Sequence, residues 1–164
     1  MADALVFRDL TVADVAFLGE MLYTAAFWRP DGPRPPIDVV LAHPEARRFT
    51  DGWGRSGDVG LVAESSGEPV GAVWYRHFTD DDHGEGYVDA ATPEIAIAVR
   101  ADRRGRGIGR QLMTAIHARA RAAGVRRISL SADVDNPARG LYRSLGYVDI
   151  APDDPDQRML VELA

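Results

Sequence analysis

The stretch Glu94–Gly124, EIAIAVRADRRGRGIGRQLMTAIHARARAAG, changes its hydrophobic period half-way along. Before the change, Ile95, Ile97 and Val99 alternate with small residues, which is the two-residue period of a strand. After it, Leu112, Ile116 and Ala120 recur at helical spacing, and Gly124 stands where a glycine ends a helix. The junction, RRGRGIGR (Arg103–Arg110), puts three glycines and four arginines into eight residues. A turn that opens a helix exposes the first backbone N–H groups at the positive end of the helix dipole. Glycines let main chain approach a ligand, and arginines add charge and paired donors. This strand–turn–helix unit reads as a cradle for an anion.

Spacing discriminates among loops of this kind. A P-loop needs Gly-Lys-Ser/Thr, but Gly109 is followed by Arg110 and Gln111. The dinucleotide fingerprint G-x-G-x-x-G fits Gly105 and Gly107 but requires glycine where Arg110 stands, and no acidic residue follows at the ribose-binding distance. What remains is Arg-x-x-Gly-x-Gly, met by Arg104, Gly107 and Gly109.

Outward from this unit, Leu5–Leu10 alternates like a first strand. Thr11, with Asp14 three residues on, caps a helix whose stripe is Val12, Val15, Leu18, Leu22 and Ala26. Trp28–Pro36 contains four prolines and a glycine and breaks that helix. A short helical piece, IDVVLAH (Ile37–His43), follows. Val59–Glu64 and Pro69–Phe78 form a hairpin about a turn at Ser65–Glu68, and Thr79–Gly86 is an acidic loop. RRISLSA is a strand, NPARGLYRSLG a short helix ended by Gly146, and RMLVEL a last strand. The element order predicts an α/β (α+β) fold with a mostly antiparallel sheet flanked by helices, in one domain over residues 1–164.

The bulk numbers bound the partners. A 164-residue chain with 46% hydrophobic and 27% charged residues fits one globular core. There is no cysteine, which excludes disulfides, thiolate metal sites and a cysteine nucleophile and is compatible with the cytoplasm. The N-terminal MADALVFRDL carries Asp3 ahead of any apolar run and does not read as a secretory signal. A net charge of −6 disfavours nucleic acid and anionic membrane, so the arginine island suits a small anion. Every basic side chain is arginine, and His43, His77, His83 and His117 show no metal-ligand spacing.

Joined to the downstream NPARGLYRSLGY (Asn136–Tyr147), the loop resembles the GNAT superfamily of N-acetyltransferases. The second half of the chain carries that likeness closely and the first half only in element order. The resemblance implies a GNAT-like sheet of six to seven strands and acetyl-CoA as acyl donor. It implies that the amides of Arg104, Gly105, Arg106, Gly107, Ile108, Gly109 and Arg110 hold the pyrophosphate. Ile97, Ala98 and Val99 would hydrogen-bond the pantetheine arm as a strand does, and Asn136 would contact the coenzyme, a role compatible with capping the helix that follows. Tyr142 matches the residue that protonates the departing thiolate. A phenol near ~10 stays protonated at neutral pH and can hand its proton to a thiolate of ~8.5.

Direct attack by an amine in a ternary complex needs a base, because only the neutral amine is nucleophilic. Glu94, at the start of the strand that leads into the loop, is the candidate. Some members of the superfamily place a glutamate on the following strand; here Ser131 stands near that position, with Asp133 and Asp135 close by as substitutes. Phe27, Trp28, Trp53, Trp74 and Tyr75 are candidates for an acceptor pocket, with core packing the expected role of most of them. An acetyl-CoA-binding module without catalysis is the alternative, distinguished by whether coenzyme A is released with any amine. Dimerisation is common in the superfamily, and no residue here fixes an interface.

Overall fold

The computed structural model describes residues 4–164, so part of the N-terminal stretch read above, including Asp3, lies outside the described residues. The chain forms strands β1 (Leu5–Asp9), β2 (Val59–Ser65), β3 (Glu68–Arg76), β4 (Glu94–Val99), β5 (Arg127–Ser131), β6 (Val148–Asp149) and β7 (Arg158–Glu162). The helices are α1 (Val15–Ala26), α2 (Ile37–Ala42), α3 (Pro44–Thr50), α4 (Ile108–Ala122) and α5 (Ala138–Ser144). One seven-stranded sheet results, in the order β1-β2-β3-β4-β5-β7-β6. Every neighbouring pair is antiparallel except β4 with β5.

Alternation along the central strands divides the core into two layers. Val73 and Tyr75 of β3 join Ile95 of β4 and Leu112, Met113 and Ile116 of α4 on one face. Ala72 and Trp74 join Ala98 with Leu18 and Met21 of α1 on the other. A strand covered on both faces reads as a continuous apolar run, as GAVWY in β3 does. The hairpin turns through Ser66 and Gly67, both at positive φ (52° and 79°), the geometry of tight two-residue turns.

Three features differ from the sequence reading. The Thr11–Asp14 box forms, with the Thr11 N–H donating to Asp14 Oδ2 at 2.8 Å, but it starts a 3₁₀ turn that leaves Val12 72% exposed and brings Met21 into the core instead. Helix α3 was not foreseen: Pro44 sits in its first turn, where its missing N–H is harmless. Strand β6 is two residues long and carries too little pattern to be read.

The β2–β3 end is anchored by Arg76, whose side chain is fully buried. Its guanidinium pairs with Asp58 at 2.9 Å and donates to the carbonyls of Arg48, Asp51 and Gly52. This arginine ties the end of α3 to the sheet and so fixes one wall of the cleft described next.

Candidate active site

Pairing of β4 with β3 runs the whole strand, from Arg76↔Glu94 to Gly71↔Val99. Pairing with β5 is confined to Glu94↔Ser129. Beyond that point the parallel strands part, and a cavity of about 1320 Å³ opens between them. Glu94 to Val99 line it from β4, Leu130 to Ala132 from the end of β5, and Asn136, Leu141 and Tyr142 from the α5 segment. Gly105 and Gly107 to Arg110 close one end of it.

At that end, Gly105 and Gly107 adopt φ of +74° and +79°, the left-handed region that favours glycine. Gly107 immediately precedes α4, so the following N–H groups are the unpaired donors of a helix of 15 residues. Gly109 is different. A Cβ there would meet Leu141 Cδ2 at 3.6 Å, an ordinary contact, so the fold itself does not demand a glycine. Arg104 donates to the Val99 carbonyl at 3.3 Å and Arg110 to Ser144 Oγ at 2.9 Å. Arg106, among the sequence candidates, is exposed and does not line the cavity. Asn136 lines the cavity while its Oδ1 accepts from the Ala138 N–H at 2.9 Å, so capping geometry and cavity position coexist.

Among the ionisable groups that line the cleft, Tyr142 and Glu94 are the two read from the sequence as proton carriers. Burial pushes the Tyr142 phenol up to about 12, so it stays protonated. Glu94 is 4% exposed, and burial pushes its carboxyl up to about 7, opposed by the Gly86 N–H donated to Oε1 at 2.8 Å. Its Oε2 is buried with no partner. A carboxyl that titrates near neutrality, with one unpartnered oxygen, on a residue that lines the cleft is suited to accepting a proton.

The proposed substitutes for that base do not serve. Arg29 binds both carboxylates, Asp135 at 2.6 Å and Asp133 at 3.5 Å, and the Arg29 hydrogen bond holds Asp135 below the usual carboxylate range. Neither residue lines the cavity. Ser131 does, with Oγ donating to the Asp156 carbonyl at 2.6 Å. Of the aromatic candidates, Phe27 and Trp28 line the cleft, whereas Trp74 and Tyr75 are buried in the core and Trp53 lies against Arg76, 5.5 Å from its guanidinium carbon.

Sequence reasoning missed how the acidic loop contributes. A Cβ on Gly84 would sit 2.6 Å from the Glu94 oxygens, and one on Gly86 would sit 2.8 Å from Glu94 Oε1 and 2.9 Å from the Ser131 nitrogen. The loop therefore lies as a backbone strap over Glu94, and the GEG spelling at 84–86 was the available signal. Glu85 enters the cavity lining with it, beside Arg48 and Phe49 of α3. No group of His, Asp or Glu among the described residues is arranged to hold a metal ion.

Comparison with known proteins agrees with this geometry. The model of the acetyltransferase (GNAT) family matches residues 23–147. An L-methionine sulfoximine/L-methionine sulfone acetyltransferase of Pseudomonas paraeruginosa is 36% identical over 147 residues, 85% of this chain and 78% of that protein. The GNAT domain of Streptomyces lividans PAT superposes with a TM-score of 0.70 at 24% identity, covering 98% of this chain and 97% of that one. The paiA N-acetyltransferase of Thermoplasma acidophilum, solved with coenzyme A, superposes with a TM-score of 0.72 at 14% identity, covering 97% and 99%. The chain belongs to the acetyltransferase (GNAT) family.

Proposed function

We propose that the cleft between β4 and β5 takes acetyl-CoA as a strand-like ligand and that Glu94 and Tyr142 carry the proton transfers of acetyl transfer to a primary amine. One observation carries this reading: β4 loses its β5 partner after Glu94, directly upstream of the glycine loop. Main-chain groups facing the gap are then available to an amide-bearing arm, and Ile97, Ala98 and Val99 line it. The loop suits a pyrophosphate on its own terms, since its left-handed glycines line the cavity at a helix start, where backbone N–H groups lack intrahelical partners. The open side of Gly109 supports the same placement: with no packing reason for glycine, close approach of a ligand is the remaining reason. Asn136 contacts the coenzyme from the opposite wall. The bound thioester supplies an activated acetyl group.

Glu94 takes a proton from the acceptor ammonium at Oε2, leaving a neutral amine. The nitrogen–carbon bond forms as the carbon–sulfur bond breaks, with main-chain donors of β4 polarising the carbonyl. Tyr142 gives its proton to the departing sulfur and is reprotonated as the acylated nitrogen sheds its second proton, while Glu94 returns the first to solvent, so the overall reaction releases one proton. A cytoplasmic setting suits a chain with no cysteine. Isothermal titration of acetyl-CoA, with thiol release on adding amine, tests the proposal. A chain that ignores acetyl-CoA at millimolar concentration overturns it.

A further inference from the structure

The two ends of the cleft carry opposite charge. Arg103, Arg104 and Arg110 line the end at the glycine loop. Glu45 of α3, Glu85 of the strap and Asp156 of the β6–β7 loop line the other, around Glu94. These carboxylates come from separate elements, and none makes an ion pair among the described residues. The arginines nearest them are already committed: Arg48 to Asp82 at 2.7 Å and Arg158 to Asp154 at 2.9 Å. Burial and the neighbouring charges of Asp156, Glu45 and Asp133 all hold the Glu85 carboxyl above its ordinary value, the behaviour of anions facing one another without a cation between them. His43 and His83 share this wall.

A cluster of acids on a surface is usually a solvated patch. Here it accompanies a second feature, the Glu94 side chain, which lines the same cavity, is 4% exposed and has a buried Oε2 without a partner. A buried oxygen without a donor costs stability unless a ligand supplies the hydrogen bond. Val39, Val40 and Phe49 line the same cavity and suit an aliphatic stem.

Resting on the acetyltransferase reading above, we propose that the acceptor carries a second positive charge. It is a linear di- or polyamine, with the reacting nitrogen at Glu94 Oε2 and the distal ammonium among Glu45, Glu85 and Asp156. The transfer balances as R–NH₃⁺ plus acetyl-CoA giving the N-acetylamine, free thiol and one proton, with the distal ammonium unchanged. An α-amino acid would instead set its carboxylate against this wall, where like charge is unfavourable. The Pseudomonas relative is named for acetylation of such amino acids, so methionine sulfone is the natural competitor in the test.

The test uses the purified full chain with acetyl-CoA and thiol detection at pH 8, comparing putrescine, n-butylamine and methionine sulfone. Putrescine and n-butylamine share a carbon skeleton and differ in the distal charge. The kcat/KM for putrescine should exceed that for either other amine at least tenfold, and 0.5 M NaCl should narrow the gap. The triple variant Glu45→Gln, Glu85→Gln, Asp156→Asn should bring the putrescine-to-butylamine ratio to within about threefold, chiefly by raising KM for putrescine. Asp153→Asn, an exposed change outside the cavity, should keep the wild-type ratio. Turnover of n-butylamine or methionine sulfone that equals putrescine overturns this inference and leaves the acetyltransferase reading standing. So does a triple variant that keeps the wild-type ratio while its thermal unfolding is unchanged. Failure to bind acetyl-CoA removes both.

Discussion

Replacing Glu94 by glutamine should make the protein more stable above pH 7 and nearly inactive. The carboxyl is lifted from an ordinary 4.5 to about 7, chiefly by burial. At about 1.4 kcal/mol per tenfold change in proton affinity, that gap corresponds to about 3 kcal/mol. In the unfolded chain Glu94 loses its proton as pH passes 4.5, while in the folded protein it keeps the proton until about 7. Between those values the unfolded state binds fewer protons, so rising pH favours unfolding, and above 7 the full penalty is present. Glutamine has no such titration, keeps an oxygen for the Gly86 N–H and fills the same space. The difference in Tm between Glu94→Gln and wild type should therefore be near zero at pH 4.5 and grow to about 10 °C at pH 8 for a chain of this size. His117, driven down to about 4 chiefly by burial, makes both proteins less stable as pH falls below 6.5, and subtraction removes its contribution. Calorimetry across this range measures the effect. Loss of a general base should lower kcat by about 10²–10⁴, with acetyl-CoA affinity unchanged. A Tm difference that does not vary with pH, or turnover within threefold of wild type, would refute the reasoning.

The other predictions separate binding, chemistry and folding. Tyr142→Phe should bind acetyl-CoA with unchanged affinity in titration calorimetry while kcat falls about 10²-fold; unchanged turnover removes the phenol from the mechanism. Gly109→Ala should hold or slightly raise Tm, because the space beside Leu141 accepts a methyl group, while acetyl-CoA affinity falls at least tenfold. A weakened fold with unchanged affinity would show that this glycine serves packing. Asp58→Asn leaves the fully buried Arg76 guanidinium without its counter-charge and should destabilise by about 3–5 kcal/mol in urea unfolding. An effect below 1 kcal/mol would mean that the carbonyls of Arg48, Asp51 and Gly52 suffice.

Much of the architecture was legible because periodicity and punctuation agree along the second half of the chain. The switch of period at RRGRGIGR located both β4 and α4, and Gly124, at φ +79°, ends the helix where expected. The acceptor half of the site was less legible. Asp133 and Asp135 sit two and four residues beyond Ser131, near which a base was sought, yet Arg29, more than a hundred residues away in sequence, binds both carboxylates. Local spacing cannot reveal a partner brought in by tertiary folding. The strap over Glu94 reads in sequence only as an acidic loop because its charges dominate its spelling, while its two glycines do the packing. Helix α3 was hidden by Pro44, which usually ends helices but at a first turn begins one.

The gap between β4 and β5 also bears on how this chain could diverge. A donor gripped by main-chain amides constrains the path of the backbone rather than the identities of the side chains along it. Substitutions on β4 that respect volume leave the grip intact, so the donor site survives drift that would erase a site built from side chains. The Thermoplasma protein, at 14% identity and a TM-score of 0.72, shows how far sequences can separate while this backbone persists. The rim of Glu45, Glu85 and Asp156 has no such protection. One codon change at each position alters its charge, so the acceptor preference we propose could turn over quickly while the backbone of the cleft is kept.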